Sequence, residues 1–262
     1  DPSLVGRDEG IDTRIVGGVP ADQLRPFTMF LSFNTNSNSW HFGGCAGTLI
    51  SNCHVLTAAH CVVNGSPDGV YVNAWKPFSG NSGHAYHFSQ VREVTIHPEL
   101  NLGPNIHDIA VMRLSSCVDT ATFPVMKLAD DDFMDSVQNG DTTVVAGFGD
   151  LGENLNQNPN QLQQVEVPFI DSDLCKSFYP GRITDDMLCA GVEEGGIDAC
   201  QGDSGGPHYI EQGNGANAEL TQVGVVSWGS GCARRGSPGV YSSVAHHRSF
   251  ISGAVCNDPD TD

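Results

Sequence analysis

A chain of 262 residues with 39% hydrophobic content can bury one large core or two smaller ones, which excludes a fibrous, disordered or miniature scaffold. Lys and Arg total 12 against 31 Asp and Glu, and the resulting formal charge of -19 repels phosphate backbones and anionic headgroups, so neither nucleic acid nor a membrane surface is an expected partner. The apolar runs, such as 223–226, are far shorter than the roughly 20 residues that cross a bilayer, and 31 Gly and 14 Pro with only 16% charged residues suit short strands joined by turns.

In chain order, residues 1–14 are polar and acidic and end at Arg14, ahead of the apolar, Gly-flexible Ile15-Val16-Gly17-Gly18. This reads either as a cuttable pro-segment or as a ragged terminus. No apolar signal segment follows Asp1, so a secretory leader is expected to have been removed from this numbering. Alternating or β-branched runs then predict strands at Thr28–Phe33, Thr48–Leu56, Gly69–Ala74, Gln90–His97 and Ile109–Leu114, and again at Thr142–Phe148, Leu162–Pro168, Glu219–Trp228 and Gly239–Val244. Polar stretches at Asn34–Ser39, Ser79–Gly83, Gly149–Asn160 and Gln212–Ala218 read as exposed loops. A spacer around Asp130–Gly140 divides two packed β units, and the apolar positions from Ala245 to Val255 permit a short terminal helix.

The nine cysteines contain no paired C-x-x-C knuckle of the kind that holds zinc, so disulfides and an oxidising compartment are the better reading. The sequon Asn64-Gly65-Ser66 is compatible with a glycosylated surface loop of a secreted protein, although Pro67 follows it. Three segments carry the chemistry. His60 ends Leu56-Thr57-Ala58-Ala59-His60-Cys61, Asp108 heads the apolar run of His107-Asp108-Ile109-Ala110-Val111, and Ser204 sits among glycines in Cys200-Gln201-Gly202-Asp203-Ser204-Gly205-Gly206-Pro207. Singly these read as a core histidine, a turn or cap acid and a Gly-rich turn. Together they supply what a serine nucleophile needs, a base to take its proton and a third group to fix that base.

The set, in the order His, Asp, Ser, resembles the trypsin-like serine peptidases of the chymotrypsin fold, and the match runs from Ile15 to about Ile251. The resemblance implies an all-β fold of two packed six-stranded antiparallel barrels, at about 28–125 and 138–245, with a terminal helix at about 245–255. It implies His60 as general base then acid, Asp108 as its orienting carboxylate, Ser204 as nucleophile, and the N–H groups of Gly202 and Ser204 as the oxyanion hole. Ser227 matches a serine that contacts the triad carboxylate, and Asp198 matches the acid at the base of the primary pocket, where an Arg or Lys side chain would neutralise it. Ser227, Trp228, Gly229 and Gly239 match the pocket walls, and Tyr179 a neighbouring tyrosine.

By the same resemblance, residues 1–14 are an activation segment and 15–262 the peptidase domain, cleavage of Arg14–Ile15 giving an α-amino group that pairs with Asp203. Three bridges are implied, Cys45–Cys61, Cys175–Cys189 and Cys200–Cys232. Cys53 and Cys117 could bridge if the strands at 48–56 and 109–114 are adjacent, leaving Cys256 over. Departures are also visible. The segment 73–87 lacks the paired glutamates of a calcium loop, the His84 and His87 pair has no supporting ligands, and Phe148 replaces the usual tryptophan. No metal and no cofactor are therefore expected. The implied protein is a secreted, extracellular monomer made as a zymogen, cutting proteins or peptides after Arg or Lys and open to protein inhibitors. The alternatives are a catalytically silent homologue acting as a binding module and a peptidase whose loops overrule Asp198.

Overall fold

The computed structural model describes residues 15–21, 28–32, 42–73, 87–153, 159, 161–213 and 218–256. The pro-segment with Arg14, the loops at 34–39 and 79–83, His84, and parts of the loops at 149–160 and 212–218 lie outside the described residues. The first unit is a closed barrel in the order β2 (Thr28–Ser32), β3 (Phe42–Leu49), β4 (His54–Thr57), β7 (Ala110–Leu114), β6 (His87–Ile96) and β5 (Gly69–Val72). All five residues of β7 are buried, because Ala110, Met112 and Leu114 face the barrel interior while Val111 on the other face packs against the second unit. The barrel interior holds Leu49, Val55, Val70, Val72, Met112 and Leu114.

The second sheet runs β10 (Gln163–Ile170), β11 (Met187–Ala190), β14 (Gly239–Ser243), β13 (Glu219–Trp228), β12 (Pro207–Gln212) and β9 (Thr142–Gly147), and β9 pairs back onto β10. In β10 the buried Val165, Val167 and Phe169 alternate with Gln164, Glu166 and Pro168, which face outward. That two-residue period fixes the face of the strand, and each buried valine contributes roughly 1.5–3 kcal/mol. Two short strands extend the six, β1 (Val19–Pro20) on β10 and β8 (Lys127–Leu128) on β13, the latter parallel. The units meet through Leu56, Ile109 and Val111 of the first against Val225 and Val244 of the second and Ile251 of the terminal helix.

Four local expectations change. The single run at 48–56 is a hairpin, because the Ser51 hydroxyl accepts the Cys53 N–H and turns the chain between β3 and β4. The spacer at 130–140 contains α1 (Asp131–Asp135), capped by the Asp130 carboxylate on the Phe133 N–H. A further helix, α2 (Ser172–Phe178), is capped in the same way by Asp171. The terminal helix α3 spans Arg248–Cys256, so 245–247 stand outside it.

All four disulfides form: Cys45–Cys61, Cys53–Cys117, Cys175–Cys189 and Cys200–Cys232. Cys53 and Cys117 lie at adjoining ends of β4 and β7, where antiparallel pairing brings the chain together. Cys256 is free and exposed.

Candidate active site

His60 sits in a single 3₁₀ turn (Ala59–Cys61) directly after β4, and the Cys45–Cys61 bridge staples that turn to β3. Closing a loop of this size is worth about 3 kcal/mol. Asp108 heads β7 one strand away and is fully buried. Its Oδ2 lies 2.7 Å from His60 Nδ1, and its Oδ1 accepts the His60 backbone N–H at 2.8 Å. Because a carboxylate only accepts, Nδ1 carries the proton and Nε2 is left as the base. The second unit clamps the acid from the far side: Ser227 Oγ donates to Oδ2 at 2.5 Å, and Ser242 Oγ donates to the Asp108 carbonyl at 2.7 Å. Burial alone would raise the Asp108 carboxyl, but its hydrogen bonds to His60 and Ser227 and its charge interaction with His60 hold it below the ordinary value.

Ser204 is carried on the loop between β11 and β12. The Ala46 N–H donates to the Ser204 carbonyl at 2.7 Å, tying that loop to β3 of the first barrel. Gly205 has φ +80°, and a Cβ there would lie 2.3 Å from Thr57 Oγ1 and 2.4 Å from the Ala46 carbonyl, so only glycine allows the approach. Around the serine, the N–H groups of Asp203, Gly205 and Gly206 are taken up by Cys200, Val226 and Asp203 carbonyls. Those of Gly202 and Ser204 donate to no acceptor among the described residues. No hydrogen bond joins the Ser204 hydroxyl to His60, whose Nε2 lies 3.7 Å from Cys61 Sγ.

Ser204 lines a cavity of about 150 Å³ together with Asp198, Ser227, Trp228, Gly229 and Gly239. Asp198 is buried; its Oδ2 accepts the Ala233 N–H at 3.0 Å, while Oδ1 has no hydrogen-bond partner among the described residues. Burial pushes this carboxyl up to about 7. The Tyr241 hydroxyl and Trp228 Nε1, both from residues lining the same cavity, are also buried without hydrogen-bond partners among the described residues. Of the two expected wall glycines, Gly239 is the one crowding demands, since a Cβ there would lie 2.7 Å from Asp198 Oδ1. At Gly229 the nearest atom to such a Cβ is the Gly231 carbonyl, at 3.2 Å. Tyr179 does not line the cavity; it packs edge-on against Trp228, with 5.0 Å between centroids, and donates to the Pro238 carbonyl.

Asp203 is fully buried and accepts the Cys200 and Gly149 N–H groups at 2.9 and 2.7 Å, but no cation contacts it among the described residues. Burial raises it to about 6. Ile15 is fully buried beside Val145, Val165, Val226 and Tyr241, and Val16 bridges to Asp198. Phe148 is buried against Val144, Leu162 and Tyr209. Asn64 is exposed in the turn after His60.

Sequence reading missed Ser242, Tyr241 and the hydrogen bond from the Ala46 N–H to the Ser204 carbonyl, all of which depend on contacts between distant segments. It also missed the histidines flanking Asp108. His97 and His247 lie beside His107 and are held below their ordinary values by burial, His247 at about 4, so both are neutral at pH 7.

Two barrel-like β sheets with a histidine–carboxylate pair at their junction define a chymotrypsin-fold serine hydrolase. A family model described as Trypsin matches residues 15–251, and the chain belongs to that family of serine endopeptidases, which act on proteins or peptides. It is 35% identical to Trypsin-3 of Salmo salar, with 94% of this chain and 95% of that protein covered. To Trypsin, alkaline C of Manduca sexta it is 40% identical, covering 91% and 90%. To the Vitellin-degrading protease of Bombyx mori it is 36% identical, covering 94% and 87%.

Proposed function

We propose that this endopeptidase is secreted, cuts after Arg or Lys, and is made as a zymogen with residues 1–14 as its activation segment and 15–262 as its peptidase domain. One observation supports the reading: the cavity beside Ser204 is lined by the buried Oδ1 of Asp198, which has no hydrogen-bond partner among the described residues. A cationic side chain reaching that oxygen would supply the missing partner, whereas an apolar side chain would leave the buried acid uncompensated.

In the proposed mechanism Ser204 Oγ attacks the scissile carbonyl while His60 Nε2 takes its proton. Asp108 stabilises the imidazolium through the Nδ1–H bond. The N–H groups of Gly202 and Ser204 receive the developing oxyanion, each worth about 2.7–4 kcal/mol in the transition state. His60 then protonates the leaving amine, and water, activated by the same imidazole, releases the acyl group from Ser204.

Activation follows from the charge state of Asp203. Cleavage at Arg14 would place the ammonium of Ile15, whose side chain is already buried in the second unit, against a carboxylate that meets no cation among the described residues. That pairing would fix the loop carrying Gly202 and Ser204 and draw the hydroxyl to His60. The exposed turn at Asn64 supports glycosylation there. Short amides of Arg, Lys, Phe and Leu, offered to protein cut at Arg14, test the reading. Turnover of the Arg and Lys amides is the expected result, and turnover of Phe or Leu in preference, or of none, contradicts it.

A further inference from the structure

Four of the ten histidines, His97, His107, His246 and His247, converge on one spot. His97 follows β6, His107 lies in the turn before β7, and the other two precede α3, so the fold alone brings them together. The rings of His97 and His107 stack 4.4 Å apart, and His97 meets His247 edge-on at 5.3 Å. One ring nitrogen from each of His97, His107 and His247 falls within 4.8 Å of the others.

The details favour coordination. His107 Nδ1 and His247 Nε2 are 3.1 Å apart. Two nitrogens on a tetrahedral ion at about 2.0–2.1 Å stand about 3.3 Å from each other, so this pair already spans one edge of such a site. His247 Nδ1 lies 2.7 Å from the Ser243 carbonyl. A carbonyl only accepts, so Nδ1 holds the proton and Nε2 offers its lone pair, the arrangement that outer partners impose on ligating imidazoles. Beyond the His107 ring, Nε2 lies 3.6 Å from Glu99 Oε2, where a carboxylate can hold the Nε2–H once Nδ1 has given up its proton. His97 accepts the Glu99 N–H at 3.2 Å on Nδ1, which orients its ring. The His107 side chain is 19% exposed, which leaves an ion a path from solvent.

Three imidazoles suit borderline divalent ions and not calcium or magnesium, which prefer oxygen donors. We propose that His97, His107 and His247 bind one zinc ion, with water in the fourth position, and that binding slows the peptidase. The coupling follows from the chain: His107 precedes Asp108, has φ +52°, and is held by its N–H on Asp186 Oδ2 at 2.7 Å and by the Ile109 N–H on its carbonyl. An ion that fixes the His107 ring between His97 and His247 acts on the backbone that aims Asp108 at His60. Zinc binding stands independently of the proposed function; only the inhibition rests on it.

Zinc chloride titrated calorimetrically into the full chain, with Cys256 alkylated, tests the site. The expected result is one ion per chain, weakened at least about tenfold in His97→Gln and in His107→Gln and kept in His60→Ala. Cobalt(II) in place of zinc should give the visible absorption of a four-coordinate ion and lose it in the same two variants. These partly exposed positions spare the buried His247. Unchanged binding in both variants, or loss of binding in His60→Ala, overturns the site. With protein cut at Arg14, zinc should lower kcat for an Arg amide in the parent and leave it unaltered in His97→Gln. Binding without inhibition overturns the coupling, whereas absence of hydrolysis in zinc-free protein refutes the peptidase reading and not the metal site.

Discussion

Asp108 and the pair Asp198 and Asp203 are buried carboxylates in one molecule, yet they are held in opposite states. Asp108, at the junction of the units, is surrounded by donors from both of them and stays below its ordinary value. Asp198 and Asp203, on the second unit, accept backbone N–H groups but meet no cation among the described residues, and burial raises them to about 7 and about 6. The difference separates an acid whose partner is built into the fold from acids whose partners are to arrive. On the proposed reading, one arrives with the substrate and the other with a newly cut N-terminus.

The comparison can be broken or sharpened in four ways. Asp108→Asn removes the built-in partner and presents the wrong tautomer to Ser204, so kcat of the cut protein should fall roughly 10⁴-fold; stopped or steady-state turnover of an Arg amide measures it, and a loss under tenfold would show that His60 needs no orienting acid. Asp198→Ser should lower kcat/KM for Arg and Lys amides by about 30-fold to several thousandfold, the cost of unpairing a buried charge, while sparing Phe amides. An equal loss on both substrates would detach Asp198 from specificity.

Asp203 should leave its mark on stability. Its folded value is above its unfolded one, so the stability it contributes is fully present below about pH 4 and is lost as pH rises through about 6. Urea unfolding of the uncut chain should therefore lose roughly 3 kcal/mol relative to Asp203→Asn between these limits. Cutting at Arg14 should reverse the trend by supplying a cation, and parallel pH curves for the two proteins would contradict the account. The smallest effect concerns Asp198 as an anion: since its carboxyl titrates near 7, affinity for a small amidinium ligand should fall about tenfold per pH unit below that point. A flat profile would mean that the cavity floor does not face the ligand's charge.

Much of the site was legible because its parts lie in short segments with unusual composition. Ser204 among glycines, His60 after a strand end and Asp108 before an apolar run stand out together, and Asp198, six residues before Ser204, is placed by the resemblance to trypsin-like peptidases. The alternation in β10 and the apolar run of β7 gave their strands directly. By contrast, α1 and α2, of five and seven residues, are too short for a helical period to register, and only their capping aspartates mark them. β11 and β12 flank the Gly-rich loops and were hidden by them. The histidine cluster left no local trace, because 97, 107 and 247 become neighbours only when the β6–β7 turn meets the approach to α3.

The central claim is that the Ser204 hydroxyl is made nucleophilic by His60. Protein cut at Arg14, treated with an organophosphonate and mapped by peptide mass, should carry one label per chain on Ser204, and His60→Ala should carry none. An unlabelled Ser204 in the cut protein, or equal labelling in His60→Ala, would contradict the account.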